Sequence, residues 1–100
     1  MPEDIGPSFT GNQVLTVAGT AVGFTASNFS EGGFRLPHAF IQVQGEAVRW
    51  AADGTTPTAA IGIEAEAGSI IKLNSVHQVE SFLAIRRDGV SATLHASFGR

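Results

Sequence analysis

Three histidines, two nearby glutamates and an adjacent Arg-Trp pair are the residues of this sequence with chemistry to offer. His38, His77 and His95 would supply imidazole nitrogens to a metal ion of the kind that cupin-like barrels hold between strands. Their spacing does not build such a site, because there is no H-x-H or H-x-x-x-H and no carboxylate adjacent to any of them. His38 follows a proline and His95 falls among the polar positions of an alternating run, so they read as surface or interface histidines, and no metal is expected. Glu64 and Glu66 lie two apart on an extended stretch, share one face, and could join Asp53 in acid–base chemistry. The same spacing describes a solvated strand edge, which is the preferred reading. A nucleophile is missing: there is no cysteine, no G-x-S-x-G elbow, and no serine with an identifiable His and Asp. "EGGF" lacks the lysine and hydroxyl residue of a phosphate loop. The residues thus predict no catalytic group, no cofactor and no enzyme.

Arg49 and Trp50 sit in "VRWAADGTTPTAAIG", residues 48–62. Neighbours on a strand face opposite sides, so the two cannot form one platform. With Val48 and Trp50 inward, Trp50 anchors a structural corner, and Arg49 points out as a charge partner for a neighbouring chain. Asp53, Gly54 and Pro57 form the turn of that corner and redirect the chain to a strand over 59–65. A sugar-binding role would instead require an exposed Trp50.

The elements that carry these residues are strands. Residues 90–98 alternate without a fault: Val90, Ala92, Leu94, Ala96 and Phe98 on one face, Ser91, Thr93, His95 and Ser97 on the other. Asp88-Gly89 predicts a two-residue hairpin between this run and 81–87. Gly45 predicts a second tight connection, between 39–44 and 46–50. Further runs are 15–17, 21–25, 59–65 and 69–73, with a helical turn over 76–81. About eight short strands in one domain indicate an all-β fold, a small antiparallel β-sandwich or barrel of jelly-roll-like type. Residues 1–10 are expected to be an extended N-terminal arm, with the β domain over 11–100. Residues 27–38 read as a long loop whose Phe29, Phe34 and Leu36 are too apolar to leave in water.

A chain of 100 residues with 43% hydrophobic residues can build one core, while 15% charged residues is well under the roughly 25% of ordinary domains. So neutral a surface suits a protein covered by neighbours. The net charge of −3 gives no electrostatic reason for a nucleic-acid partner, and no run is long enough to cross a bilayer. The acidic, proline-containing start does not read as a signal peptide, so assembly in a cytoplasm is expected. Ile5, Phe9, Phe29, Phe34 and Leu36 are the candidate docking contacts, together with Arg49.

The order Val48-Arg49-Trp50, Asp53-Gly54-Thr55 with Pro57-Thr58, Gly62, Gly68, Phe82-x-Ala84-Ile85-Arg86 and Ala92-Thr93-Leu94-His95 resembles a set of small proteins of tailed bacteriophages and prophages. The resemblance covers residues 39–98 and implies an all-β virion accessory, of the capsid decoration or cement type. It implies a non-enzymatic subunit of the virion that binds the major capsid protein lattice or other virion proteins, with copies clustered as a homo-oligomer, a trimer being favoured. A neck or tail accessory, and a sandwich module binding glycans or a host surface, are the alternatives. A cupin-like metalloenzyme is the third.

Overall fold

A computed structural model describes residues 9–100. Period-2 alternation places one row of each strand inside, and two sheets close over that row. The first sheet holds β1 (Phe9–Val17), β9 (Ala92–Gly99), β4 (His38–Gln44) and β7 (Ile70–Leu73), in the order β1-β9-β4-β7. The second holds β6 (Ile63–Ala65), β5 (Val48–Ala51) and β8 (Leu83–Arg86), in that order. All strand pairings are antiparallel. An isolated bridge between Val22 and Ala84 adds a fourth position beyond β8.

The chain changes sheet at almost every step: β1 to Val22, then β4, then β5 and β6, β7, β8 and β9. With the Val22 position counted, the two layers have the strand order of a jelly roll, and the fold is an all-β sandwich. The expected hairpins are corrected by this topology. Asp88-Gly89 does not join paired strands, because β8 pairs with β5 while β9 pairs with β1 and β4. Gly45, at φ +86°, likewise carries the chain from β4 in one sheet to β5 in the other. A turn signal is local; which strand pairs with which is decided by burying both inner faces.

β9 lies between β1 and β4, and its Ala92, Leu94, Ala96 and Phe98 are buried as the alternation predicts. Val90 precedes the strand and is exposed. Opposing it in the core are Val48 and Ala84 of the second sheet, with Val79 and Phe82 between. Aromatic rings run through this core from one layer to the other. Trp50 stacks on Phe82 at 5.7 Å, Phe82 on Phe24 at 4.9 Å, and Phe24 meets Phe98 edge-on at 5.0 Å. Such geometries suit the ring quadrupoles and add to area burial.

Four other segments depart from expectation. β1 begins at Phe9, inside the expected arm; Ile5 and the rest of residues 1–8 lie outside the described residues. The run 21–25 contributes a single bridge rather than a strand. The strand expected over 59–65 starts at Ile63, because the Thr58 hydroxyl accepts from the backbone N–H groups of Ala60 and Ile61 and holds a turn there. The loop 27–38 is a 3-10 turn (Ala26–Phe29) followed by a small hairpin, β2 (Ser30–Glu31) and β3 (Phe34–Arg35). Gly32 and Gly33, at φ +60° and +85°, supply the two left-handed positions that so tight a turn demands. The helical turn over 76–81 is present as α1 (Val76–Ser81), with the Ser75 hydroxyl accepting from Gln78 N–H at 3.2 Å.

Candidate functional site

Alternation along β5 sends Val48 and Trp50 inward and Arg49 outward. Val48 is fully buried, while Trp50 is half-buried at the edge of the core. After Ala51 the chain loops through Asp53 to Gly62 and returns as β6, so that Ile63 lies opposite Trp50 and Glu64 opposite Arg49. Pro57 is completely buried, and Gly54 at φ +94° makes the bend before it. Asp53 Oδ1 accepts from Thr55 N–H at 3.0 Å, an Asx turn. Bonds from Thr55 hold the Asp53 carboxyl below the usual carboxylate range. Trp50, Asp53, Gly54 and Pro57 therefore build the corner that the sequence assigned them.

Arg49 requires a correction. Its Nε donates to the Ala59 carbonyl at 2.8 Å and its Nη1 to the Gly62 carbonyl at 3.3 Å. Its Nη2 lies 2.9 Å from the Glu64 carboxylate. The guanidinium is thus consumed within its own chain, pinning the 52–62 loop, and is not an outward finger for a neighbour.

Glu64 and Glu66 do share a face, and both contact Arg87, which also pairs with Asp88. Its hydrogen bonds to the Asp88 and Glu66 carboxylates raise the Arg87 pKa further, so this guanidinium is always charged. The β5–β6 and β5–β8 pairings bring the groups together from three separate stretches of the chain. The cluster gives the outer face of the three-stranded sheet its charge.

The expected docking residues divide. Phe29 and Leu36 are corrected to core residues, 3% and 1% exposed. Leu36 N–H donates to the Phe29 carbonyl at 2.7 Å, folding the β2–β3 hairpin back so that both side chains enter the sandwich. Arg35 covers the Phe29 ring and pairs with Glu80 of α1 at 3.3 Å. Phe34, at the hairpin tip, is 69% exposed, and Phe9 is also exposed.

Phe9 belongs to a larger surface that the sequence did not single out. A register shift between Phe9 and Gly11 sets Phe9 on the outer face of the four-stranded sheet, edge-on to Phe40 at 6.4 Å. Rows of paired residues cross that face: Val14, His95, Gln42 and Ile70 in one, Asn12, Ser97, Phe40 and Lys72 in the next. Lys72 is the one full charge in these rows, and its ammonium sits 5.6 Å from the Phe40 ring centre. The outward period of the polar residues was legible, but their assembly into one neutral face needed the strand order.

A cleft forms where the sandwich is open. On one flank β8 is tied to the segment after β1 by the Val22–Ala84 bridge and by Arg86 N–H donating to the Ala18 carbonyl at 3.0 Å. On the other flank the edge strands β6 and β7 leave a depression with Trp50 and Ile63 in its floor. Beside it lies a cleft of ≈ 380 Å³, lined by Trp50, Ala52, Asp53, Thr55, Ile63 and Gln78.

Among the described residues, no group of three or more His, Asp or Glu side chains is placed to hold a metal ion, and no helix is long and apolar enough to cross a membrane. Comparison of the chain with protein-family models, with curated proteins and with solved structures finds no match.

Proposed function

We propose that this chain is a non-enzymatic structural subunit of a bacteriophage virion, a decoration protein that seats on the major capsid protein lattice and stabilises it. The observation that carries the reading is the sparsely charged outer face of the β1-β9-β4-β7 sheet. It exposes Phe9, Val14, Phe40 and Ile70 among amide, hydroxyl and imidazole side chains, with Lys72 as the one full charge of its paired rows. Such a face is cheap to desolvate, and at protein surfaces apolar area of this kind marks contact with another protein. The jelly-roll layers supply a rigid tile on which the face is displayed, and the exposed Phe34 at the β2–β3 tip offers a second anchor. The resemblance to phage decoration proteins supports the virion as the setting, with copies clustered as trimers.

The test is the protein content of virions purified from the phage or prophage that encodes the chain, followed by binding to capsids that lack it. Presence at a fixed ratio to the major capsid protein, with density on the capsid lattice, is expected. Phe40→Glu should lower occupancy at least about tenfold, roughly 1.4 kcal/mol, without changing the melting temperature. Absence from virions overturns the proposal, and density confined to the neck or tail replaces it with an accessory role there.

A further inference from the structure

We propose that the cleft beside Trp50 is a binding site for a neutral pyranose sugar. It stands apart from the virion reading, and the lining of the cleft itself uses none of the side chains exposed on the four-stranded sheet face. Its floor is apolar: the indole of Trp50, backed on one side by Phe82 at 5.7 Å, and the exposed Ile63 paired opposite it. An aromatic face carries partial negative charge and attracts the weakly positive C–H edges that a pyranose presents on its apolar side.

The rim is polar and complementary in kind. Asp53 gives one oxygen to Thr55 N–H at 3.0 Å, which fixes its orientation, and a carboxylate keeps acceptor capacity beyond one bond. Gln78 reaches the cleft from α1, and its carbonyl is taken by Asn74 N–H at 2.8 Å, leaving the side-chain NH₂ to donate. An oriented acceptor and an oriented donor above an aromatic floor match adjacent sugar hydroxyls, each of which both donates and accepts. The Thr55 hydroxyl, which bonds the Asp53 carboxylate, keeps its lone pairs as a further acceptor at the rim.

Size and charge agree. The ≈ 380 Å³ cleft falls at the small end of the roughly 300–1,000 Å³ found for small-molecule sites. An adjoining depression of ≈ 340 Å³ shares Trp50 and Ile63 and leads towards Ser69 and Lys72, so a linked second ring has somewhere to lie. Among the described residues, Asp53 is the one charged side chain lining the first cleft, and it disfavours anionic ligands. Few bonds and an open, partly solvated cleft suit weak recognition, which becomes useful when many copies act together.

Trp50 is the single tryptophan of the chain, so its fluorescence reports on this cleft and the depression adjoining it. The full chain is titrated separately with glucose, galactose, mannose, N-acetylglucosamine and choline, each to about 50 mM. At least one sugar should give a saturable change with a millimolar dissociation constant, which is what so small a ligand can reach. Gln78→Ala and Asp53→Asn should each weaken that binding about fivefold or more while the melting temperature stays within a few degrees of the parent. No saturable response to any of the four sugars overturns the proposal. So does an undiminished response in both variants, or saturable binding of choline in place of the sugars.

Discussion

Arg49 and Glu64 meet directly across the β5–β6 pair, guanidinium Nη2 to carboxylate Oε2 at 2.9 Å. The Arg49 side chain is only 18% exposed, and it also bonds two loop carbonyls, so its role is to hold the 52–62 loop against β5. Arg49→Ala should destabilise the fold by about 1–2 kcal/mol, since it leaves those carbonyls without their donors. Arg49→Lys should recover little, because an ammonium cannot span three acceptors in a fork. Glu64→Gln, at an exposed carboxylate, should cost well under ~1 kcal/mol. Urea denaturation of the three variants gives the ranking; a neutral Arg49→Ala would remove the arginine from the loop's support.

The two sides of the β2–β3 hairpin should respond oppositely to truncation. Leu36→Ala should cost about 2–5 kcal/mol and Phe29→Ala about 3–5 kcal/mol, the range for large side chains lost from a packed core. Phe34→Ala, at the exposed tip, should stay within about 0.5 kcal/mol of the parent. Thermal unfolding distinguishes them, and equal losses at Phe34 and Leu36 would contradict the hairpin's fold-back.

Gly62 closes the same loop at φ +137°, where an added Cβ would lie 3.1 Å from Pro57 Cβ and 3.2 Å from Arg49 Cβ. Gly68, at φ +94°, has open space around the same position. Gly62→Ala therefore meets strain and crowding and should cost about 2–3 kcal/mol, against about 1 kcal/mol of backbone strain at Gly68→Ala. Equal melting temperatures for the two variants would count against the tight packing of Gly62 against Pro57 and Arg49.

Asp53 gives a pH dependence with a definite sign. Its carboxyl is held below the ordinary aspartate value of 3.8, first by the Thr55 backbone N–H, so the folded state favours the ionised form. The stabilisation is therefore complete above about pH 4 and is lost as the pH falls through the lowered folded value. The melting temperature of the parent should exceed that of Asp53→Ala at pH 6, and the gap should narrow below pH 3.8. A gap that widens on acidification would contradict the Asx turn.

Much of the local structure could be read from residue order. The alternation at 90–98 named four of the buried residues of β9, and the helical turn expected over 76–81 is α1. Residues 27–38 read as a loop too apolar to leave in water, with no sign that its apolar residues would part, Phe29 and Leu36 to the core and Phe34 to water. A loop of no clear period does not say which of its side chains the core will have room for. The cleft was legible only as the adjacency of Trp50 to a turn containing Asp53; Gln78 joins it from an element far along the chain.

What the sequence determined by itself is the inside-or-outside choice along each strand, because side chains alternate with a period of two whatever the partner. It put Val48 and Trp50 on one face and Arg49 on the other, and marked the corner at Asp53, Gly54 and Pro57. Only the tertiary structure decided who meets whom. Asp88-Gly89 and Gly45 read as hairpin turns, yet each sends the chain across to the other sheet, since burying both inner faces outweighs pairing with the nearest strand. For the same reason an outward Arg49 is not an available one: the returning loop brings Ala59, Gly62 and Glu64 to it, and its charge is satisfied before any neighbour arrives.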